Sequence, residues 1–213
     1  PCDAFGGPDR AHHDFSPIQK AISYSMTSFF TTGGIRGGKK KLDKFYPRSY
    51  NMGIKSDVYK ALNGFSKMRF GEDIDFSIRI FDNGYRCRLF PEAWVYHKRR
   101  TDFRKFFKQV YNSGIARINL YKKYPSSLKL VHLLPAVFTV GVFLLCLSAL
   151  LSCSFVPLSL LLLYSILIFI DSAMHYKSIK IGFLSVGAAF TQLMGYGLGF
   201  IEAWWKRCVR GLD

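Results

Sequence analysis

Residues 63–90 read NGFSKMRFGEDIDFSIRIFDNGYRCRLF, and the punctuation of this stretch decides the fold class of the first hundred residues. Asn63-Gly64 is a turn signal, residues 72–82 have helical spacing closed by Asn83-Gly84, and residues 85–90 then read as a strand. Working outward, residues 56–62 read as a short capped helix, with a strand over 48–54 before it and another over 93–97 after it. Helices and strands in alternation predict α/β architecture.

The same stretch holds the most suggestive side chains. Glu72 and Asp73 open a helix directly after Gly71, where the helix dipole and unpaired N–H groups stabilise carboxylates as anions. An anionic carboxylate is what a general base requires. Asp75 sits two residues on and points to another side of the helix. Taken alone, acidic residues in a first turn are common, and Gly-Glu-Asp reads first as a helix cap.

Downstream the chain changes character. Residues 101–124 place Phe103, Phe106, Phe107, Val110, Tyr111, Ile115 and Ile118 at helical spacing, with Arg104, Lys105, Lys108, Arg117 and Lys122 over much of the remainder. This predicts a cationic amphipathic helix over 101–125, capped by Thr101 and lying at a membrane interface; an ordinary amphipathic helix on a soluble core has the same periodicity. The region 126–213 is predicted to be membrane-bound, with spans over about 129–152 and 156–175 forming a helical hairpin. A third apolar segment, about 181–205, contains five glycines with Gln192 and Glu202. Lys122, Lys123 and Lys129 before the hairpin and Lys177 and Lys180 after it put both flanks in the cytoplasm by the positive-inside rule. The cluster Lys206, Arg207 and Arg210 then favours an interfacial or re-entrant third segment, with Trp204 and Trp205 at headgroup level. Asp171, His132 and His175 fall near expected interfaces and are assigned to anchoring or helix pairing.

The chain of 213 residues carries a formal net charge of +16. Anionic lipid headgroups and nucleotide phosphates both satisfy such a balance. No basic-aromatic RNA-binding signature, zinc-finger spacing or basic zipper is present, so nucleic acid is not the expected partner. The five cysteines are scattered without metal-ligand spacing and read as reduced thiols. The glycine-rich basic run from Gly33 to Lys41 lacks the P-loop pattern and is expected to be a mobile loop, with residues 36–44 closing over an acceptor. Two or three spans without a polar intramembrane stripe offer little pathway for a channel or transporter.

Several motifs occur in order. Asn51-Met52-Gly53-Ile54, Val58, Asn63-Gly64-Phe65, Phe70-Gly71-Glu72-Asp73-Ile74-Asp75-Phe76, Arg79, Gly84-Tyr85 and Trp94-Val95-Tyr96-His97 together resemble the second half of glycosyltransferase family 2 catalytic domains, over roughly residues 1–125. The family's Gly-Gly-Phe turn reads Asn-Gly-Phe here. The resemblance implies a partial GT-A (Rossmann-like) domain over residues 1–100. It further implies a nucleotide-sugar donor and in-line attack by an acceptor hydroxyl, with inversion at the anomeric carbon.

Residue by residue, the resemblance makes Asp73 the base that deprotonates the acceptor and leaves Glu72 to orient the acceptor or a loop. Asn51, Arg99, Arg100, Gln109 and Arg117 become candidates for contact with donor phosphates or saccharide. His97 becomes a candidate ligand of a divalent cation, Mg²⁺ or Mn²⁺, that bridges the donor phosphates. Gln109 and Arg117 lie where processive relatives carry a Gln-x-x-Arg-Trp motif, which this chain lacks, so processive polymerisation is not expected. No Asp-x-Asp follows an apolar strand, and the donor-binding half is expected to precede Pro1, leaving this chain inactive alone. The expected acceptor is a lipid-linked saccharide, glycolipid or cell-envelope polysaccharide at the membrane. The alternative is a non-catalytic scaffold that holds anionic lipid or protein partners through its basic belt.

Overall fold

A computed structural model describes residues 2–32 and 45–212. The expected basic loop over 33–44 lies outside the described residues. In chain order the elements are β1 (Ala4–Gly6), β2 (Asp9–Arg10), α1 (Pro17–Thr27), α2 (Phe29–Thr32), β3 (Met52–Ile54), α3 (Ser56–Ala61) and α4 (Glu72–Asp82). There follow β4 (Cys87–Leu89), β5 (Val95–Tyr96), α5 (Phe103–Lys123), α6 (Leu134–Leu151), α7 (Ser159–Tyr176) and α8 (Ile179–Trp204).

The chain divides into two compact units, residues 2–13 with 45–98 and residues 14–32 with 99–212. In the first, β1 is the central strand, antiparallel to β3 with Ala4 opposite Ile54 and parallel to β4 with Ala4 opposite Cys87. A second ladder pairs β2 with β5 in parallel, Asp9 opposite Val95. Val58 of α3, Leu62 at its C-terminal cap, and Phe76 and Ile80 from α4 close over Ala4, with Met52, Ile54, Tyr85 and Cys87 packed around them. Within each pair these apolar positions are four residues apart, which turns one stripe of each helix onto the sheet. Helices and strands alternate as expected, and α4 has the predicted bounds. The sheets are small, however. Only Met52–Ile54 of the expected strand 48–54 pairs in the sheet, because Ser49–Asn51 forms a 3₁₀ turn, and the other two predicted strands shorten to β4 and β5.

The second unit is helical and organised around α8, which packs against α1, α5, α6 and α7. It gathers residues 14–32 with the C-terminal helices, so residues 1–100 are not one compact body. Helix α1 starts with a capping box: Ser16 Oγ accepts from Gln19 N at 3.3 Å, and Gln19 Oε1 accepts from Ser16 N at 3.1 Å. Its Ala21, Ile22 and Met26 join Phe106 and Val110 of α5 and Ala188 of α8 in one buried cluster. Burying a phenylalanine such as Phe106 contributes roughly 1.5–3 kcal/mol.

Helix α5 is capped by Asp102 and not by Thr101: the Asp102 carboxylate accepts from Lys105 N at 2.7 Å. Asp102 stands one residue nearer the helix, where its carboxylate reaches a free N–H group of the first turn. The apolar stripe of α5 packs on α8, with Phe106, Val110, Gly114 and Ile118 buried. The glycines of the third apolar segment do not interrupt it. Helix α8 is continuous over Ile179–Trp204, and its glycines face neighbouring helices. A Cβ on Gly199 would stand 2.1 Å from the Tyr111 carbonyl oxygen, one on Gly197 would stand 2.4 Å from that of Pro135, and one on Gly182 would stand 2.9 Å from the Phe169 ring.

Three helices are long and apolar enough to cross a membrane, spanning Leu134–Leu151, Val156–Tyr176 and Ile179–Val209. The link between α6 and α7 is short, yet the two helices approach each other chiefly at Phe138 and Tyr164, whose rings lie 5.5 Å apart, and each packs more extensively on α8. Asp171 accepts a hydrogen bond from the Tyr24 hydroxyl, and Ser172 meets Ser185 at 2.6 Å. Asp171 therefore pairs helices.

Candidate active site

Helix α4 begins at Gly71, whose φ of 84° lies in the left-handed region that favours glycine. Glu72, Asp73 and Asp75 fill its first turn. The two aspartates have different roles. Asp75 is fully buried and held by Arg79 Nε at 3.0 Å, and the other Arg79 nitrogens donate to the carbonyls of Leu62 (2.6 Å) and Gly64 (2.8 Å). That pair fastens the Asn63-Gly64 turn to α4. Asp73 is buried less completely, its side chain 12% exposed, with Oδ2 3.3 Å from Arg48 Nη1 and Oδ1 accepting from Ile74 N at 2.8 Å. Its carboxylate stands close to the helix N-terminus and keeps part of its surface accessible. Glu72 is half-buried one position earlier.

The segment Arg48-Ser49-Tyr50-Asn51 links the candidate residues of this unit. Arg48 reaches Asp73, the Asn51 side-chain amide donates to the Ala93 carbonyl at 2.8 Å, and the Tyr50 ring stacks on His97 with centroids 3.9 Å apart and planes 12° from parallel. The His97 backbone N–H donates to the Arg10 carbonyl at 3.3 Å, which continues the β2–β5 ladder. Arg48 and Tyr50 were not among the residues singled out from sequence. Their signal was hidden because the turn Ser49–Asn51 reads as part of a strand. Among the described residues, His97 has no group of three His, Cys, Asp or Glu ligand atoms gathered around it. A single imidazole fits the role of a completing ligand only, beside oxygens from a substrate.

The other predicted binding residues belong to the helical unit. Arg99 is 7% exposed, and its carbonyl accepts from the Gln19 side chain at 3.0 Å. Arg100 Nε donates to Gln109 Oε1 at 2.8 Å on an exposed face, so these two candidates do meet. Arg117 is half-buried, close enough to His132 to help depress its pKa.

The family model for glycosyl transferase family group 2 matches residues 49–170, more than half of the chain. The chain belongs to this family. No curated protein matches it. The match begins at Ser49, takes in Asp73 and His97, and runs through α5 and α6 into α7. A glycosyltransferase of this group is therefore continuous in sequence from its α4 carboxylates to membrane-type helices. Glycosyl transfer requires a sugar donor and an acceptor. The first turn of α4 gathers three carboxylates within the matched region, and of the two aspartates in that turn only Asp73 is not committed to a buried clamp.

Proposed function

We propose that this chain is the acceptor-side part of an inverting glycosyltransferase in which Asp73 is the general base. The Asp73 carboxylate takes the proton of an acceptor hydroxyl as that oxygen bonds to the anomeric carbon of a nucleotide sugar. The bond from that carbon to the diphosphate oxygen breaks on the opposite face, and the electron pair leaves with the nucleoside diphosphate. Positioned proton transfer of this kind accelerates reactions by about 10²–10⁴-fold. The observation that carries the reading is the contrast within α4: Asp75 is buried in an ion pair, whereas Asp73 stays partly accessible beside Arg48. Glu72 orients the acceptor. Arg48 holds the Asp73 carboxylate in place.

A divalent cation, Mg²⁺ or Mn²⁺, would neutralise the leaving diphosphate when bound. His97, steadied by the Tyr50 ring, supplies one ligand, and Asn51 holds the neighbouring Ala93 carbonyl. Arg100 with Gln109, and Arg117, contact phosphate or saccharide. Arg99, buried, braces the start of α5. The donor's base and first metal carboxylate come from residues outside this chain, since no Asp-x-Asp follows an apolar strand here. The acceptor is lipid-linked or a polysaccharide of the cell envelope, met at the membrane surface on the cytoplasmic side, where α5 lies in the headgroup layer.

The test is transfer measured in membranes with a nucleotide-sugar panel, using the longest natural chain that contains these residues. Asp73→Asn is expected to abolish turnover while donor binding persists. Full turnover in Asp73→Asn would remove the assignment of the base, and lipid binding without turnover for any donor would favour the scaffold reading.

A further inference from the structure

Helix α8 ends on Trp204, and the turn that continues it, Trp205–Val209, is π-helical. Such turns are rare in helices and recur at functional sites. This one borders a cavity of about 220 Å³ lined by Ile115 of α5 and by Glu202, Ala203, Lys206, Arg207 and Leu212. All six residues belong to the helical unit.

The charges that line this cavity do not cancel. Glu202 accepts from the Tyr111 hydroxyl and, at 2.6 Å, from Lys206 Nζ, so that carboxylate and that ammonium satisfy each other. Arg207 is half-buried and, among the described residues, has no carboxylate, carbonyl or ring partner. A cation near a helix C-terminus gains from the helix dipole, which accounts for Lys206 and for the exposed Arg210. It does not account for a guanidinium lining a cavity, where partial loss of water without a counter-charge is costly and the whole fork of N–H donors stands unused. An anion in the cavity would offset that cost. Sites for drug-sized ligands run to about 300–1,000 Å³, so this smaller space suits a compact head group and neither a nucleotide sugar nor a glycan. One unpaired cation matches one negative charge, and the planar guanidinium fork takes phosphate oxygens in pairs. Trp204 and Trp205, 38% and 57% exposed at the end of this apolar helix, are side chains that favour the headgroup level of a bilayer. The phosphate within reach there is that of a lipid.

We infer that this cavity is a binding site for the phosphodiester of one anionic phospholipid, with Arg207 holding its phosphate oxygens and Ile115, Ala203 and Leu212 covering its glycerol. This differs from the general attraction of a basic chain to acidic membranes, because one residue holds one lipid. The choline of a zwitterionic lipid would bring a further cation against Arg207 and Lys206, so phosphatidylglycerol is preferred to phosphatidylcholine. The inference stands whether or not Asp73 is the base, since it rests on a cavity and an unpaired cation of the helical unit.

The test is thermal melting of the full chain in neutral detergent with dihexanoyl phosphatidylglycerol, dihexanoyl phosphatidylcholine, dihexanoyl glycerol or inorganic phosphate added. A ligand that binds only the folded chain raises the melting temperature, by about 3–6 °C at about ten times its Kd for a chain of this size. Phosphatidylglycerol should give such a shift, and its apparent affinity should fall by about 10–100-fold in Arg207→Gln. Arg210→Gln removes an exposed charge that does not line the cavity and should leave the shift unchanged. An undiminished response in Arg207→Gln would overturn the inference, and so would equal losses in the two variants, which would mean attraction by net charge alone. A shift with inorganic phosphate or with dihexanoyl glycerol as large as that with phosphatidylglycerol would remove the lipid phosphodiester as the ligand. Should Arg207→Gln fail to fold, the wild-type chain is crosslinked to a photoreactive phosphatidylglycerol and mapped by mass. Labels at Ile115 or over residues 202–212 support the site, and labels confined to other helices refute it.

Discussion

At the scale of single residues, two aspartates on one turn of α4 make opposite predictions. Asp73→Asn keeps the shape of the side chain and removes its basicity, so turnover should fall by about 10²–10⁴-fold with little change in thermal stability. Parallel assays of transfer and melting check this. Arg79→Ala should do the reverse. It strands the buried Asp75 carboxylate and frees the Leu62 and Gly64 carbonyls, and breaking a buried pair costs about 3–5 kcal/mol. Chemical denaturation should show the loss, with turnover per folded molecule retained. The Gly-Glu-Asp pattern was legible in sequence, but which carboxylate is spent on structure was not. That depends on Arg79 reaching back to a turn fifteen residues earlier, a contact made only when α4 packs.

At the scale of elements, close approach between helices sets the tolerances. Gly199→Ala drives a methyl group into the Tyr111 carbonyl, a backbone atom that cannot rotate away, and should destabilise the α5–α8 pair by about 1–3 kcal/mol. Gly141→Ala, with nothing within 4 Å of the added methyl, should change stability by less than about 0.5 kcal/mol. Melting in detergent compares the two. The connection from α5 to α6 carries a pH dependence. Burial, with Arg117 and Lys129 nearby, lowers the His132 pKa from 6.5 to about 4, and its Nδ1 accepts from Lys129 N at 3.0 Å, which requires the neutral ring. The unfolded chain binds this proton first as pH falls, so the stability that His132 contributes is complete above pH 6.5 and is lost progressively toward pH 4. Melting temperature followed over that range should flatten in His132→Gln. Helix α1 was missed from sequence although Ser16-Pro17 with Gln19 is a capping signal and Ile18, Ala21 and Ile22 follow at helical spacing. Eleven residues that include Gln19, Lys20, Ser23, Ser25 and Thr27 carry too little apolar surface to declare a partner.

At the scale of the molecule, membrane attachment has two components of different physical origin. The +16 charge attracts acidic headgroups through a field that salt screens, whereas the bare apolar ends of α6 and α7 bind by burial, which salt does not weaken. The chain should therefore stay in the membrane pellet through 1 M salt and be released only by detergent. Release by salt alone would show that α6 and α7 do not insert. The sequence by itself determined the glycosyltransferase class, the helix that carries the carboxylates and the apolar segments, because these rest on local order, periodicity and composition. Tertiary structure decided that Asp75 belongs to a clamp, that Arg48 and Tyr50 join Asp73 and His97 in one unit, and that residues 14–32 pack with the C-terminal helices. It also decided which neighbours α8 packs against. Each of these depends on which distant surfaces meet, and a helix twenty-six residues long has the same hydropathy whatever it packs against.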